Sequence, residues 1–444
     1  MSISVADRRR AVAAGGIGNF VEWFDFIAYG ALAVIIAPHF FPSDNPTASL
    51  LSTFAAFAVA FVCRPIGGVV WGYIGDRWGR RSALSSAVLT MSAATVVIGS
   101  LPTAASIGVL APIFLVLCRC IQGLAAGAEW SGSAVFLVEY GDKKRRALFA
   151  SLTPVGAQLG AMVGVALVAA LNATLGSEAV ESWAWRIPFL LAGPLGLVGF
   201  YIRLRLDDTP AFTKMKSENV IEKAPIREAL RTHRKQIFIL FVMAAAQNTA
   251  TYSMVAFMVT YLRTDVGVSL GVALFTNTLA LGVGAVTIIM GGIYADRHGR
   301  RPVYLWSVGL LILAAVPMYM LIGRGDMFSL IVGQSVLAAL IGGMLAPIAA
   351  SCVELFPARV RYAASAMGYS LGAGVIGGAA PLIATALIAS SGQILAPAFY
   401  LTAILLIAFV IVAKLLPETK DLPLELEETA VLPDVVAPRI SGVV

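Results

Sequence analysis

Charge is scarce in this chain: Asp, Glu, Lys and Arg make up 13% of it, against roughly a quarter in an ordinary soluble domain. So little charge beside 59% hydrophobic residues excludes a soluble enzyme of 444 residues. Cysteine and histidine are also few. The four cysteines (Cys63, Cys118, Cys120, Cys352) lie in apolar runs without metal-ligand spacing, so neither a disulfide framework nor a metal centre is expected. The three histidines (His39, His233, His298) are dispersed and read as solvated residues of loops and helix ends. A phosphate-cradling Gly-rich loop is missing, which argues against an ATP-driven pump. No cofactor and no enzymatic activity are expected.

What the chain has is apolar length. A membrane-spanning helix needs about 20 apolar residues. Twelve such segments can be marked, at 17–40, 50–74, 82–103, 109–139, 147–172, 187–206, 235–262, 270–294, 303–323, 327–355, 362–390 and 397–416. The fold class is therefore all-α and polytopic, with the lipid bilayer as its solvent. Arg8-Arg9-Arg10 precedes the first apolar run, but that run holds Glu22 and Asp25 and is too long for a signal core, so it reads as a retained first span.

The net charge of +7 reflects topology rather than nucleic-acid binding. Most Lys and Arg fall on one side, while Arg186, Arg263 and Arg324 fall on the other and Arg64 and Arg119 lie inside spans. The positive side marks the cytoplasm, with both termini inside.

The loop Gly72-Tyr-Ile-Gly-Asp76-Arg77-Trp-Gly79-Arg80-Arg81 recurs as Gly292-Ile-Tyr-Ala-Asp296-Arg297-His-Gly-Arg300-Arg301. Glu139 and Arg146 recur at the same spacing as Glu354 and Arg361, at the inner end of the fourth helix of each half. One half thus repeats the other. The expected units are a first six-helix bundle (1–206), a cytoplasmic linker (207–234), a second bundle (235–416) and a cytoplasmic tail (417–444). Two like halves point to a transporter with its substrate path on the seam. The acids and arginines of the repeated motifs, with Gly72 and Gly79, are candidates for charge networks that open and close the inner face. A purely topological role for these arginines is the alternative.

An ionisable residue in hydrocarbon is costly and is a functional candidate by default. Glu22 and Asp25 sit three apart, on one face of the first helix. At about 1.5 Å per residue, Asp25 lies roughly 12 Å inside the cytoplasmic end. Arg119 on the fourth helix reaches a similar depth, and the two can pair. That pair is either a protonation switch or a static clamp. Glu22 and Glu129 are further candidates for proton transfer or gating. Arg64 is placed to bind a carboxylate in a forked geometry, or to pair with Glu22 or Asp25. Candidate cavity residues are Trp23, Phe26, Tyr29, Gln122, Trp130, Gln158, Gln247, Asn248, Tyr252 and Tyr369. Asn277 and Gln334 are weaker candidates. Aromatic rings can cage a quaternary ammonium, although such a stripe also serves helix packing.

These motifs resemble a known family. Gly72-x-x-x-Asp76-Arg77-x-Gly79-Arg80-Arg81 is similar to the cytoplasmic loop signature of the major facilitator superfamily, and Arg119-x-x-Gln122-Gly123-x-x-x-Gly127-x-Glu129 resembles its fourth-helix signature. Glu22-Trp-Phe-Asp25, Arg64-Pro-Ile-Gly-Gly68, Trp185-Arg-Ile-Pro188 and Thr209-Pro-Ala-Phe212 look like its metabolite:proton symporter branch. The resemblance covers about residues 15–420. It implies twelve helices in two pseudo-symmetric bundles, alternating access, and proton-driven uptake of a small molecule by a monomer in a bacterial inner membrane. By motif, the first-helix acid and fourth-helix arginine of proton-coupled carriers fall on Asp25 and Arg119. Proline/betaine osmosensors of that branch carry a long C-terminal coiled coil, which Pro417, Pro423, Pro433 and Pro438 preclude here. Because two membrane arginines are present, an organic acid is the expected substrate. A zwitterionic osmolyte such as proline or betaine, a proton-driven exporter and a non-transporting sensor are the alternatives.

Overall fold

Backbone N–H and C=O groups find no water inside a bilayer, so apolar runs of this length must satisfy them internally, as helices. The computed structural model describes residues 5–204 and 225–422 except 79, 128, 143, 358 and 359. For 5–15, 72–83, 139, 203–204 and 225–226 it describes the backbone alone. The spans are α1 (Val5–Ala31, continued by Ala33–Phe40), α2 (Pro46–Trp78), α3 (Arg80–Ser100), α4 (Leu110–Ala126, continued by Glu129–Tyr140), α5 (Arg146–Leu175) and α6 (Ser177–Ala184 with Arg186–Leu204). In the second half they are α7 (Arg234–Val266), α8 (Leu270–His298), α9 (Arg300–Ile322), α10 (Met327–Glu354), α11 (Arg361–Ser391) and α12 (Ala396–Leu415).

Among the described residues, nine of these helices are long and apolar enough to cross a bilayer alone. Two more qualify as bent pairs, α1 by 70° and α6 by 60°, and α3 contributes the shorter apolar helix Leu84–Ser100. All twelve expected segments are therefore helical. The largest boundary difference is at the start, where the helix begins at Val5 rather than 17. Helix and apolar run need not end together, because a helix can continue into water on its own hydrogen bonds.

Local chemistry sets several ends. Asn45 Oδ1 accepts from Thr47 N (2.9 Å) at the start of α2, and Asp326 Oδ1 accepts from Ser329 N (3.0 Å) at the start of α10. Gly299, in the second copy of the repeated loop, has φ +100°, which lets the chain turn directly from α8 into α9. Pro65 does not break α2; the helix runs through it.

The duplication is visible in the packing. In the first half α1 packs on α5, α2 on α4 and α3 on α6; in the second α7 packs on α11, α8 on α10 and α9 on α12. The halves meet along α5 with α8 and α2 with α11, two pairs that exchange under the same two-fold relation. α2 and α4 approach so closely that a Cβ on Gly123 would stand 1.8 Å from the Ala60 carbonyl oxygen. This is small-residue packing, the form of helix association that hydrocarbon favours. It also carries Arg64 and Arg119, one on each helix, toward the same interior. Wide π-type turns interrupt α6 (Val180–Ala184), α7 (Ser253–Phe257 and Leu262–Val266) and α11 (Gly372–Gly377).

Candidate functional site

Four ionisable side chains converge where α1, α2 and α4 meet. Glu22, Asp25, Arg64 and Arg119 are all at most 3% exposed. Glu22 and Arg64 form a direct ion pair, which selects one of the two partners open to Arg64. The Arg64 guanidinium also lies over Phe61 (4.6 Å) and Phe26 (5.0 Å). Arg119 lies over Tyr29 at 4.0 Å, with Phe26 and Phe57 slightly farther away.

The expected contact of Asp25 with Arg119 is corrected by the structure: two neutral side chains stand between them. Arg119 Nη1 donates to Gln122 Oε1 (2.9 Å), Gln122 Nε2 donates to Thr95 Oγ1 (2.7 Å), and Thr95 Oγ1 lies 2.8 Å from Asp25 Oδ2. The gap between them is spanned by Thr95 of α3, which sequence spacing could not place. Thr95 itself gave no sequence signal, because a threonine in a span ordinarily bonds back to its own helix; its Oγ1 also lies 2.9 Å from Met91 O. Asp25 Oδ1 and Arg119 Nε and Nη2 make no hydrogen bond.

Rings from both halves close over this cluster. Trp23 of α1 stacks on Tyr252 of α7 at 5.6 Å, and Phe61 and Phe57 of α2 also face Tyr252 (4.7 and 5.9 Å). Trp130 of α4 stacks on Tyr369 of α11 at 3.7 Å and 4°. Tyr369 is eight residues into its helix from Arg361, about 12 Å, whereas Tyr252 is eighteen residues into α7 from Arg234, about 27 Å. The two pairs thus lie at different depths, each joining one half to the other. Gln247 Nε2 donates to the Tyr369 hydroxyl (3.3 Å), and Asn248 Oδ1 is 3.5 Å from it. Trp23 Nε1 and the Tyr252 hydroxyl make no hydrogen bond. Glu129 is buried and shares with Glu22 a cavity of about 10 Å³, room for roughly one water.

Other candidates lie elsewhere. Gln158 is on the α5–α8 seam, where its Nε2 donates to Leu281 O (3.2 Å). Asn277 and Gln334 bond to each other (3.3 Å) within the second half. His39, expected to be solvated, instead stacks on Trp185, with Nε2 2.7 Å from Glu181 O.

At the end bearing the repeated loops the halves are held together. Asp296 accepts from Ala147 N and Leu148 N (both 2.9 Å), so an α8 carboxylate caps the start of α5. Arg300 pairs with Glu354 (2.8 Å) and Asp296 (3.3 Å). Thr419 donates to Glu354 (2.7 Å), Glu418 accepts from Arg300 N (2.8 Å), and Arg146 Nη1 donates to Leu422 O (2.7 Å). The start of the tail therefore straps both halves, a role its composition did not reveal. Arg301 and Arg361 bond nearby carbonyls (Ala413 O and Phe356 O), and the Arg297 carbonyl accepts from Lys420 Nζ. The side chains of the candidates Asp76, Arg77, Arg80, Arg81 and Glu139 lie outside the described part, as does Gly79, while Gly72 is described as backbone within α2. Asp296→Asn removes the charge from the helix cap, worth about 1–2 kcal/mol and so roughly a tenfold shift toward separation of this end. Spin-label distances across α5 and α8 should broaden toward longer values; an unchanged distribution would refute the latch.

A family model described as the Major Facilitator Superfamily matches residues 16–291, and one described as "Sugar (and other) transporter" matches 213–430. The glycine betaine/proline/ectoine/pipecolic acid transporter OusA of Dickeya dadantii is 33% identical over 429 residues, covering 94% of this chain and 85% of that protein. A proline/betaine transporter of Salmonella typhimurium is 32% identical over 428 residues, covering 94% and 85%. Among solved structures, the proton:xylose symporter XylE bound to 6-bromo-6-deoxy-D-glucose superposes with a TM-score of 0.77 at 15% identity, covering 95% of this chain and 98% of that one. A partially occluded inward-open form of XylE from E. coli gives 0.75 at 14%, covering 94% and 100%. At such identities these structures speak for the fold.

Proposed function

This chain belongs to the Major Facilitator Superfamily and is an integral membrane transporter, and from that premise we propose that it imports a zwitterionic osmolyte of the proline or betaine type together with protons. The observation that carries this reading is how the buried charges are engaged: Arg64 is taken by Glu22, and Arg119 is linked through Gln122 and Thr95 to Asp25, beside an aromatic wall. The organic-acid expectation counted the arginines but not what neutralises them. Arg64 is committed to Glu22, so a dianionic or trianionic guest would meet no spare pair of cations. A net-neutral zwitterion needs no such pair. Transport of proline and betaine by the relatives supports the same choice.

In this reading the ammonium group takes the faces of Trp23 and Tyr252, the pair beside Phe57 and Phe61. The carboxylate takes donors without partners, Arg119 Nη2 and Trp23 Nε1. Each stacked pair has one ring on each half, so parting of the halves opens ring faces for the guest. Asp25 is the acid best suited to exchange a proton, because no direct ion pair holds it. The Thr95 hydroxyl has one hydrogen and two acceptors in reach, Asp25 Oδ2 and Met91 O. When Asp25 is protonated it can donate to Thr95, while Thr95 turns its hydrogen to Met91. Protonation then leaves no buried donor stranded. Glu129, reached through the one-water cavity, is the next station toward the end closed by Asp296. That end is assigned to the cytoplasm, with both termini inside and the linker 207–234 joining the bundles.

The test is initial uptake by energised right-side-out vesicles. Glycine betaine and proline should accumulate and an uncoupler should abolish it, while citrate, α-ketoglutarate and shikimate should not compete. Accumulation confined to the carboxylic acids would overturn the zwitterion reading. Accumulation only by inside-out vesicles would make the chain an exporter.

A further inference from the structure

At the end remote from the tail strap, the halves part around a cavity of about 530 Å³ between α1, α2, α7 and α11. Its walls are largely apolar, with Pro38, Pro42, Pro46, Leu50 and Ile388 among them, and Phe257 lies on its wall. One carboxylate is present, Asp265, which receives a hydrogen bond from Thr264 Oγ1 (2.6 Å). The nearby cation does not neutralise it: Arg263 is turned to Glu181 of the other half (2.6 Å). Two further lining side chains, Ser49 and Thr260, are 5% and 1% exposed, and their hydroxyl oxygens make no hydrogen bond. A buried hydroxyl without a partner is costly, and a guest that accepts its hydrogen removes that cost. Their burial on this wall is an observation separate from the acid.

We propose that this cavity is an outer capture site for a methylated ammonium zwitterion, with Asp265 holding the cationic end and the Ser49 and Thr260 hydroxyls donating to the carboxylate. Methyl groups on nitrogen offer no hydrogens to bond but need apolar walls and one diffuse anionic neighbour, which describes this lining. A primary ammonium would need several acceptors at hydrogen-bonding distance. Phe257 packs against Phe54 of α2 (6.2 Å), which joins the cavity wall to the buried aromatic residues of the two halves. The guest is thus held on its way in, before it reaches the buried charges. The choice of guest rests on the zwitterion reading above.

The full chain in proteoliposomes carries the test, with Ser43→Cys placing a thiol at the cavity mouth. A membrane-impermeant maleimide reports on occupancy, and glycine betaine and tetramethylammonium chloride are the probes, with sodium chloride as the ionic control. Both probes should slow modification severalfold, glycine betaine at the lower concentration. Adding Asp265→Asn should remove that protection while uptake at saturating glycine betaine continues, and Asp265→Glu should restore it. Equal modification with and without probe, or undiminished protection in Asp265→Asn, would overturn the site. Protection without any betaine or proline uptake would sink the transport reading and leave the capture site standing; uptake without protection would do the reverse. The protection measurement needs only the chain with Asp265 intact, so poor folding of the Asn variant does not shield the proposal.

Discussion

Asp25→Asn should abolish uphill uptake while leaving exchange of substrate across the membrane intact. Moving one elementary charge through 100 mV is worth about 2.3 kcal/mol, so a zwitterion carried with one proton can be concentrated about fifty-fold. Without a titrating group at position 25 that coupling is lost, and the accumulation ratio should fall to about one. The amide retains the shape of the acid and can bond Thr95 as the protonated carboxyl would, so the carrier should still shuttle its loaded form. Counterflow of labelled glycine betaine against an unlabelled internal pool should therefore continue at a rate near that of the parent. An Asn variant that still concentrates substrate would remove Asp25 from the coupling role and shift attention to Glu22 and Glu129. Gln122→Leu and Thr95→Val probe the same chain of bonds, and weaker coupling with unchanged counterflow is the expected result for each.

The second large effect concerns the rings. Tyr252→Ala removes the ring that stacks on Trp23 and faces Phe57 and Phe61. A desolvated cation–π contact is worth about 2 kcal/mol, so the KM for glycine betaine should rise roughly thirty-fold. Tyr252→Phe keeps the ring face and should stay close to the parent, which separates ring from hydroxyl. Proline carries hydrogens on its nitrogen and a smaller apolar surface, so its KM should rise less. If Tyr252→Ala raised both KM values equally while Tyr252→Phe matched it, the hydroxyl rather than the ring face would be the binding element.

Much of this architecture was legible in order along the chain. Twelve apolar runs became twelve helices because a run of that length has one low-energy arrangement in hydrocarbon. The repeated Asp-Arg-x-Gly-Arg-Arg loop foretold the paired packing of the halves, and its second glycine, Gly299, carries the positive φ that such a turn requires. Burial of Glu22, Asp25, Arg64 and Arg119 was also legible, since each interrupts an apolar run at a depth that counting residues can estimate.

Partners were not legible. Arg64 had two acids within reach by spacing, and rotation of α2 against α1 decided for Glu22. Counting residues put Asp25 and Arg119 at a similar depth, yet α3 places Thr95 between them, a contact seventy residues away from Asp25 in sequence. Glu418 and Thr419 looked like the beginning of a polar tail and became part of the strap across both halves. The sequence by itself determined which stretches form membrane-length apolar helices, which residues bear the burden of buried charge, and that one half repeats the other. Only the tertiary structure decided which charge answers which, because a hydrogen bond depends on the mutual rotation of helices to within an ångström while hydropathy depends on composition alone.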